Sequence, residues 1–252
     1  INQRIADTGP GHVIDGFFGF CEAFGINERI PRWDIPVPDV AANRAADLIS
    51  DRSGTLLISP CSSRSVRNWH VEGYAALADH AITAHGMDVV ITGGNSSLET
   101  QYAAAIKAAL PTNKAAYVQN LVGQLDLKTL LAVMRRVSVV VAPDSGPVHL
   151  AMAAGTPTIG LYAETNPDRA APILARPWVV NAYPQALKNL RGRDVAQARW
   201  GERVADQQAM RFITADAVTN MLDRLLATPP NKRLGHSLYA DDRESLTGNK
   251  SL

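Results

Sequence analysis

The segment from Val137 to Pro157, V-S-V-V-V-A-P-D-S-G-P-V-H-L-A-M-A-A-G-T-P, narrows the possible folds more than any other part of the chain. Its valine-rich start reads as a strand buried on both faces, as in a parallel sheet. Asp144-Ser145-Gly146-Pro147 then supplies a turn, a cap and a proline suited to a first helical turn. Val148 to Ala154 is almost all small or apolar, so this helix can lie close against the sheet, and Gly155 ends it before a strand from Thr156 to Tyr162. A strand, a tight loop and a helix N-terminus aim unpaired backbone N–H groups and the positive end of a helix dipole at the C-terminal edge of a sheet. Open α/β proteins bind anions there, and the ligand predicted is a diphosphate.

The same alternation extends from Gly54 onward. Strands are expected at 55–60, 87–92, 115–118, 137–142 and 157–162, with helices at 71–85, 97–109, 126–136 and 147–154 between them. That spacing predicts an α/β fold with a doubly wound, mostly parallel sheet, a Rossmann-like domain. A further strand is expected at 178–181, then a polar stretch carrying Lys188, Arg191, Arg193, Arg199 and Arg203. This group reads either as a solvated face or as a contact for an anionic acceptor or membrane surface. Thr214 caps a closing helix, about 215–226, with Val218, Met221, Leu222 and Leu225 on its apolar face.

Ahead of the sheet, residues 1–11 are loop-like. His12 to Phe24 reads as an amphipathic helix with Val13, Phe17, Phe20 and Phe24 on one side and Gly25 as its stop, and that side needs a partner. The prolines of 31–38 make an extended connection, followed by a short helix at 39–49. After Pro229-Pro230 the chain is polar and aperiodic, a flexible tail docked at most through Leu238 and Tyr239. The expected organisation is therefore 1–38 as the end of a preceding domain and a linker, 39–227 as the Rossmann-like domain, and 228–252 as a tail.

A formal net charge of +1 gives no case for a nucleic-acid partner. The two cysteines, Cys21 and Cys61, are far apart and form no metal-ligand spacing, so neither a disulfide framework nor a metal site is expected, and a reducing cytoplasmic setting is. No apolar run approaches the ~20 residues of a membrane-spanning helix. The chain begins with Ile1, which reads as a piece of a longer protein.

Several loops fall at the predicted C-terminal edge of the sheet. Ser59-Pro60-Cys61-Ser62-Ser63-Arg64-Ser65-Val66-Arg67-Asn68-Trp69 offers small hydroxyls and a fixed positive charge, Arg67, able to grip two phosphate oxygens, or it is a polar loop with a surface arginine. Neither G-x-G-x-x-G nor a P-loop is present. Thr92-Gly93-Gly94-Asn95-Ser96-Ser97 permits close backbone approach and caps the next helix, whose first turn holds Glu99. Glu99 either complements the helix dipole or holds a ribose hydroxyl. Leu121-Val122-Gly123-Gln124-Leu125 either lays apolar surface against a base or belongs to the core. Asp144 reads as a cap, a sugar ligand or a base, and His149 as a structural residue or a phosphate contact. Ser145 lacks the G-x-S-x-G setting of a hydrolase nucleophile.

Together these loops resemble glycosyltransferase family 9, the ADP-heptose:lipopolysaccharide heptosyltransferases. The matching residues are Pro60 and Ser63 through Arg67-Asn68-Trp69, Thr92-Gly93-Gly94, Leu121-x-Gly123, Asp144-Ser145-Gly146-Pro147-Val148-His149-Leu150-Ala151, Gly155-Thr156-Pro157, Leu161 to Pro167 and Met210-Arg211-Phe212-Ile213-Thr214. His12-Val13-Ile14-Asp15 and Phe24-Gly25-Ile26 resemble the end of the family's N-terminal domain. Cys61 stands where the family usually has glycine, and Glu164 and Asn166 replace the commoner proline or glycine and aspartate. A further carboxylate beside a diphosphate is unfavourable unless it faces the sugar or a cation.

The resemblance implies the GT-B architecture, two Rossmann-like domains facing a cleft, with this chain the C-terminal, donor-binding half plus a remnant of the N-terminal one. It implies inverting transfer of a heptose from ADP-heptose to a sugar hydroxyl of the lipopolysaccharide inner core, without a metal or other cofactor, at the cytoplasmic face of the inner membrane. Donor ligands would be Ser63, Arg67, Glu99, Leu125, Asp144, Ser145, Gly146, His149 and Thr165. Arg67 occupies the place of a basic residue, usually lysine, at the donor phosphates and would stabilise the leaving group. The catalytic base of the family is an aspartate near the start of the N-terminal domain, a segment this sequence does not contain, so the chain alone is expected to bind donor without transferring it. Another GT-B nucleotide-sugar enzyme with a different donor, an epimerase, and a non-catalytic nucleotide-sugar-binding protein are the alternative readings.

Overall fold

A computed structural model describes residues 4–5, 9–31, 33–49 and 54–234. Two helices, α1 (Val13–Ala23) and α2 (Asp39–Leu48), precede β1 (Thr55–Ile58). The alternation continues with α3 (Val71–His85), β2 (Asp88–Ile91), α4 (Ser97–Ala108), α5 (Thr112–Ala115), β3 (Val118–Asn120), α6 (Leu127–Met134), β4 (Val139–Pro143), α7 (Gly146–Ala153) and β5 (Thr158–Tyr162). It ends with α8 (Pro167–Ala170), β6 (Val179–Asn181), α9 (Tyr183–Arg191) and α10 (Ala215–Ala227). All strand pairs are parallel, in the order β3-β2-β1-β4-β5-β6. The order reverses between β1 and β4, and a crevice opens beyond their C-terminal ends.

Alternation within each strand divides the core into two layers. Leu56, Ile58, Val89, Ile91, Val139 and Val141 face α3, α4, α9 and α10, whereas Leu57, Val90 and Val140 face α2, α6 and α7. Strands buried on both faces carry continuous apolar runs, which is why Val139–Pro143 was so legible. The doubly wound Rossmann-like sheet expected from the sequence is the one observed.

One expectation is corrected, and one stretch proves more ordered than its polarity suggests. The third strand lies at Val118–Asn120, not 115–118, because Pro111 starts the short helix α5 and Lys114 ties it to Asp79 (2.5 Å) and Thr83 (2.7 Å) on α3. Ala116 and Tyr117 are exposed, and pairing begins only where burial does, with Val118 opposite Val89. The polar stretch after β6 contains α9, whose Tyr183, Ala186 and Leu187 are buried at helical spacing. Its basic residues are largely engaged within the chain. Lys188 pairs with Asp194, Arg193 with Glu202, and Arg191 donates to the carbonyl of Val204.

α1 is fixed at its base, where His12 Nε2 donates to the carbonyl of Ala171 (2.8 Å) and Trp200 Nε1 to that of Gly11 (3.1 Å). Ile14 and Trp33 pack on Met152, Ile173 and Leu174. The phenylalanine side expected to need a partner is exposed among the described residues, Phe17 by 62% and Phe24 by 82%. At the other end, Trp178 Nε1 donates to the carbonyl of Arg233 (2.7 Å), so the chain is still anchored there. Leu238 and Tyr239 lie outside the described residues. No helix among those residues is long and apolar enough to cross a membrane.

Candidate functional site

The loop after β1 is held by three aromatic anchors, Trp69, Tyr74 and Tyr102. Trp69, fully buried, donates from its indole to the carbonyl of Ile213 (2.9 Å) and stacks edge-on against Tyr74 at 5.0 Å. Tyr74 donates to the carbonyl of Pro60, and Tyr102 to that of Trp69. Asn68 accepts from the amide of Ser62 (2.7 Å), and the Ser62 hydroxyl reaches across to the carbonyl of Asp144 (3.4 Å). The first and fourth βα loops are thereby joined at the switch point.

In the fourth loop, Ser145 occupies the N-cap of α7 but does not cap it, its hydroxyl donating instead to the carbonyl of Pro143 (3.0 Å). The start of α7 is left without a side-chain cap beside the exposed Gly146, and, apart from Pro147, which has no N–H, its first-turn amides suit an anion. The second loop is shaped by Glu99, which accepts from the amide of Gly94 (2.7 Å) and the hydroxyl of Ser96 (2.6 Å). A Cβ on Gly94 would stand 3.0 Å from that carboxylate, so a larger residue there would push the Glu99 side chain aside by a few tenths of an ångström.

These loops enclose a cavity of about 690 Å³. Ser63, Glu99, Leu125, Ser145 and Gly146, five of the expected donor ligands, line it. Leu98, Leu127 and Leu130, which the sequence reading did not single out, extend Leu125 into an apolar wall, while Leu121 is buried in the core. Cys61 also lines the cavity. Burial, with a contribution from the Glu99 charge, pushes its thiol up to about 12, so it contributes a neutral surface and no thiolate.

Arg67, Asp144 and Thr165 form a second group, a half-buried charge cluster that includes the buried Glu164. Arg67 Nη1 lies 3.1 Å from Asp144 Oδ2 and also donates to the Asp144 carbonyl (3.1 Å), while its Nε donates to Glu164 Oε2 at 3.1 Å. Thr165 donates to Asp144 Oδ2 (2.9 Å). Glu164 is 1% exposed, and its place as the second partner of Arg67 was not anticipated. The only sequence signal was an unusual carboxylate in the loop after β5. The phenol of Tyr162, pushed well above its ordinary value by burial and by the Asp144 charge despite Arg67, has no hydrogen-bond partner among the described residues. His149, in the first turn of α7, is held below the ordinary histidine value by burial, with Asp144 pulling the other way.

The sequence matches the model of glycosyltransferase family 9 (heptosyltransferase) over residues 1–198. This chain belongs to glycosyltransferase family 9. It is 33% identical over 228 residues to lipopolysaccharide core heptosyltransferase OpsX of Haemophilus influenzae, the match covering 89% of this chain and 63% of that protein. To lipopolysaccharide heptosyltransferase 2 of Escherichia coli it is 31% identical over 160 residues, 64% of this chain and 43% of the relative. The family 9 chain thus spans less than two thirds of the length of these relatives. Among solved structures, a family 9 glycosyl transferase from Veillonella parvula superposes with a TM-score of 0.67 at 19% identity, covering 89% of this chain and 62% of that one. Escherichia coli heptosyltransferase WaaC with ADP gives 0.57 at 16% identity, covering 92% and 59%. The fold is that of the Rossmann-like domain of these enzymes.

Proposed function

We infer that this chain is the donor-binding part of a heptosyltransferase that moves a heptose from ADP-heptose to a sugar hydroxyl of lipopolysaccharide core, working in the cytoplasm at the inner membrane. The observation that carries the reading is the cavity at the switch point, with an uncapped helix N-terminus on one side and a leucine wall on the other. The N–H groups of α7 would take the diphosphate, and Leu125 with its neighbours the adenine. Relatives support the donor and acceptor. Escherichia coli WaaC, of similar fold, has been solved with ADP, and the Haemophilus influenzae relative OpsX is a lipopolysaccharide core heptosyltransferase.

The charge cluster fits the rest of the donor. Asp144 and Glu164 outnumber Arg67 by one negative charge, which disfavours a phosphate directly over the cluster. The carboxylate of Asp144 suits sugar hydroxyls, which donate hydrogen bonds. Nη2 of Arg67, which makes no hydrogen bond among the described residues, suits the phosphate next to that sugar. As the glycosidic bond breaks, negative charge grows on the departing ADP, and Arg67 with the α7 dipole would stabilise it more than the ground state.

Calorimetric titration with ADP, UDP and GDP tests this. Selective binding of ADP, lost in Arg67→Ala, is expected. Because that variant strands Glu164, Arg67→Ala/Glu164→Gln is the second control, folded and equally unable to bind. Absence of ADP binding by the wild-type chain, or preference for UDP, would overturn the assignment of the donor.

A further inference from the structure

The surface where α3 meets α10 carries a cluster that the donor site does not use. His80 Nε2 lies 2.7 Å and His85 Nε2 2.6 Å from the same carboxylate oxygen, Oδ1 of Asp223. The two rings are 5.5 Å apart and nearly perpendicular, and all three donor atoms fall within 4.8 Å of one another. Two imidazoles and a carboxylate converging from two elements form the ligand set that zinc and its neighbours in the first transition row accept. The cluster is not legible in the sequence, since the histidines are five residues apart and the aspartate is 138 residues further on.

The surroundings favour a cation. His80 lies on the wall of a surface hollow of about 630 Å³ that also presents Glu72, Asp79 and Asp216. Asp79 is paired with Lys114 and Glu72 lies 3.5 Å from His70 Nδ1, whereas Asp216 has no basic partner among the described residues.

We propose that His80, His85 and Asp223 form a binding site for a divalent transition metal of the zinc type that clamps α10 to α3, with water completing the coordination. Bonds of about 2.0–2.2 Å in a tetrahedral arrangement hold ligand atoms roughly 3.3 Å apart. The present contacts must open by a fraction of an ångström, and Asp223, with 43% of its side chain exposed, has room to withdraw. Both imidazoles shift to the tautomer with the proton on Nδ1, and the metal takes the place of the two Nε2 protons now shared with the carboxylate. α3 leaves β1 at the C-terminal edge of the sheet and returns to the start of β2, so His85 at its end lies at the edge opposite the donor cavity. The role is therefore in stability and not in transfer.

The test uses untagged, metal-stripped protein of the full 252 residues, titrated with zinc chloride by calorimetry and followed in parallel by thermal unfolding. A single equivalent should bind. At a hundredfold excess over the dissociation constant the midpoint should rise by about 5 °C, following from mass action on the folded state. Cobalt(II) should give the visible absorption of a four-coordinate site, and magnesium should do nothing. His85→Ala and Asp223→Asn, both on the surface, should each abolish the zinc-dependent rise while leaving the metal-free midpoint close to wild type. No shift in the wild type, or a shift that survives in both variants, would overturn the proposal.

Discussion

At the level of single residues, the arrangement around Arg67 makes the sharpest predictions. Glu164 is almost fully buried and Arg67 is its ionic partner, so Arg67→Ala leaves an uncompensated carboxylate in a poorly hydrated place. Breaking a buried pair from one side costs about 3–5 kcal/mol, whereas a neutral amide at the same position carries no such penalty. Arg67→Ala should therefore lower the urea midpoint strongly, and adding Glu164→Gln should recover most of the loss. Equal stability of the single and double variants would mean that the pair contributes nothing. The sequence exposed Arg67 and Asp144 as candidates because both sit in loops that the strand pattern placed at one edge. It did not reveal that they bond to each other, since 77 residues separate them and only the sheet order makes β1 and β4 neighbours.

His12 adds a pH dependence at the same scale. Its Nε2 donates to Ala171 and its Nδ1 accepts the amide of Ile14 (3.3 Å), so the neutral ring caps α1. Burial, helped by Arg176 and His149 and opposed by the Ala171 bond and Asp15, holds it below the ordinary histidine value. The unfolded chain then binds the proton more readily than the folded one. This part of the stability is complete above the unfolded value of about 6.5, is lost progressively as the pH falls from there to the lower folded value, and changes no further below it. His149, shifted in the same direction, adds to the trend. His12→Asn keeps a capping side chain and removes the titration. Thermal midpoints measured from pH 7.5 to 5 should fall less steeply in this variant than in the wild type, and identical slopes would exclude His12 as a source.

Among the elements, the fit of α3 against the loop after β1 sets the geometry of the cavity. Gly73 lies under the Trp69 ring, and a Cβ there would come within 2.4 Å of it. Trp69 has no exposed surface into which to retreat and is tied to Ile213. Gly73→Ala should cost about 1–3 kcal/mol by overpacking and, by displacing the loop that carries Ser63 and Arg67, should weaken ADP binding further than the stability loss alone explains. Elements of this kind were readable where periodicity and caps agreed, as in α3, which runs from Val71 to a left-handed Gly86. They were misread where polar residues dominated. β3 is three residues long with one buried side chain, too little for a period-2 signal, and α9 was hidden behind its lysine and arginine although Tyr183, Ala186 and Leu187 marked its buried face.

For the whole molecule, the exposed face of α1 and the limited coverage of the relatives bear on the same question. Phe17, Phe20 and Phe24 project from a helix whose base is bonded to the sheet domain, and they contribute almost nothing to the core of this chain. Replacing Phe17 and Phe20 by serine should therefore leave the unfolding free energy within about 0.5 kcal/mol per substitution and ADP affinity unchanged, and a larger loss would mean that the face is covered in solution. On the function proposed, transfer needs more than the cavity at the switch point. An acceptor hydroxyl must be deprotonated on the far side of the sugar as ADP leaves, and Asp144 is already shared between Arg67 and Thr165. ADP release from ADP-heptose should accordingly be at background with this chain and lipopolysaccharide core acceptor, even when calorimetry shows the donor bound. If release is accelerated, Asp144→Asn separates the remaining possibilities. Loss of turnover with donor affinity retained would make Asp144 the base and this chain an enzyme in its own right, whereas unchanged turnover would place the base on another residue of the cleft.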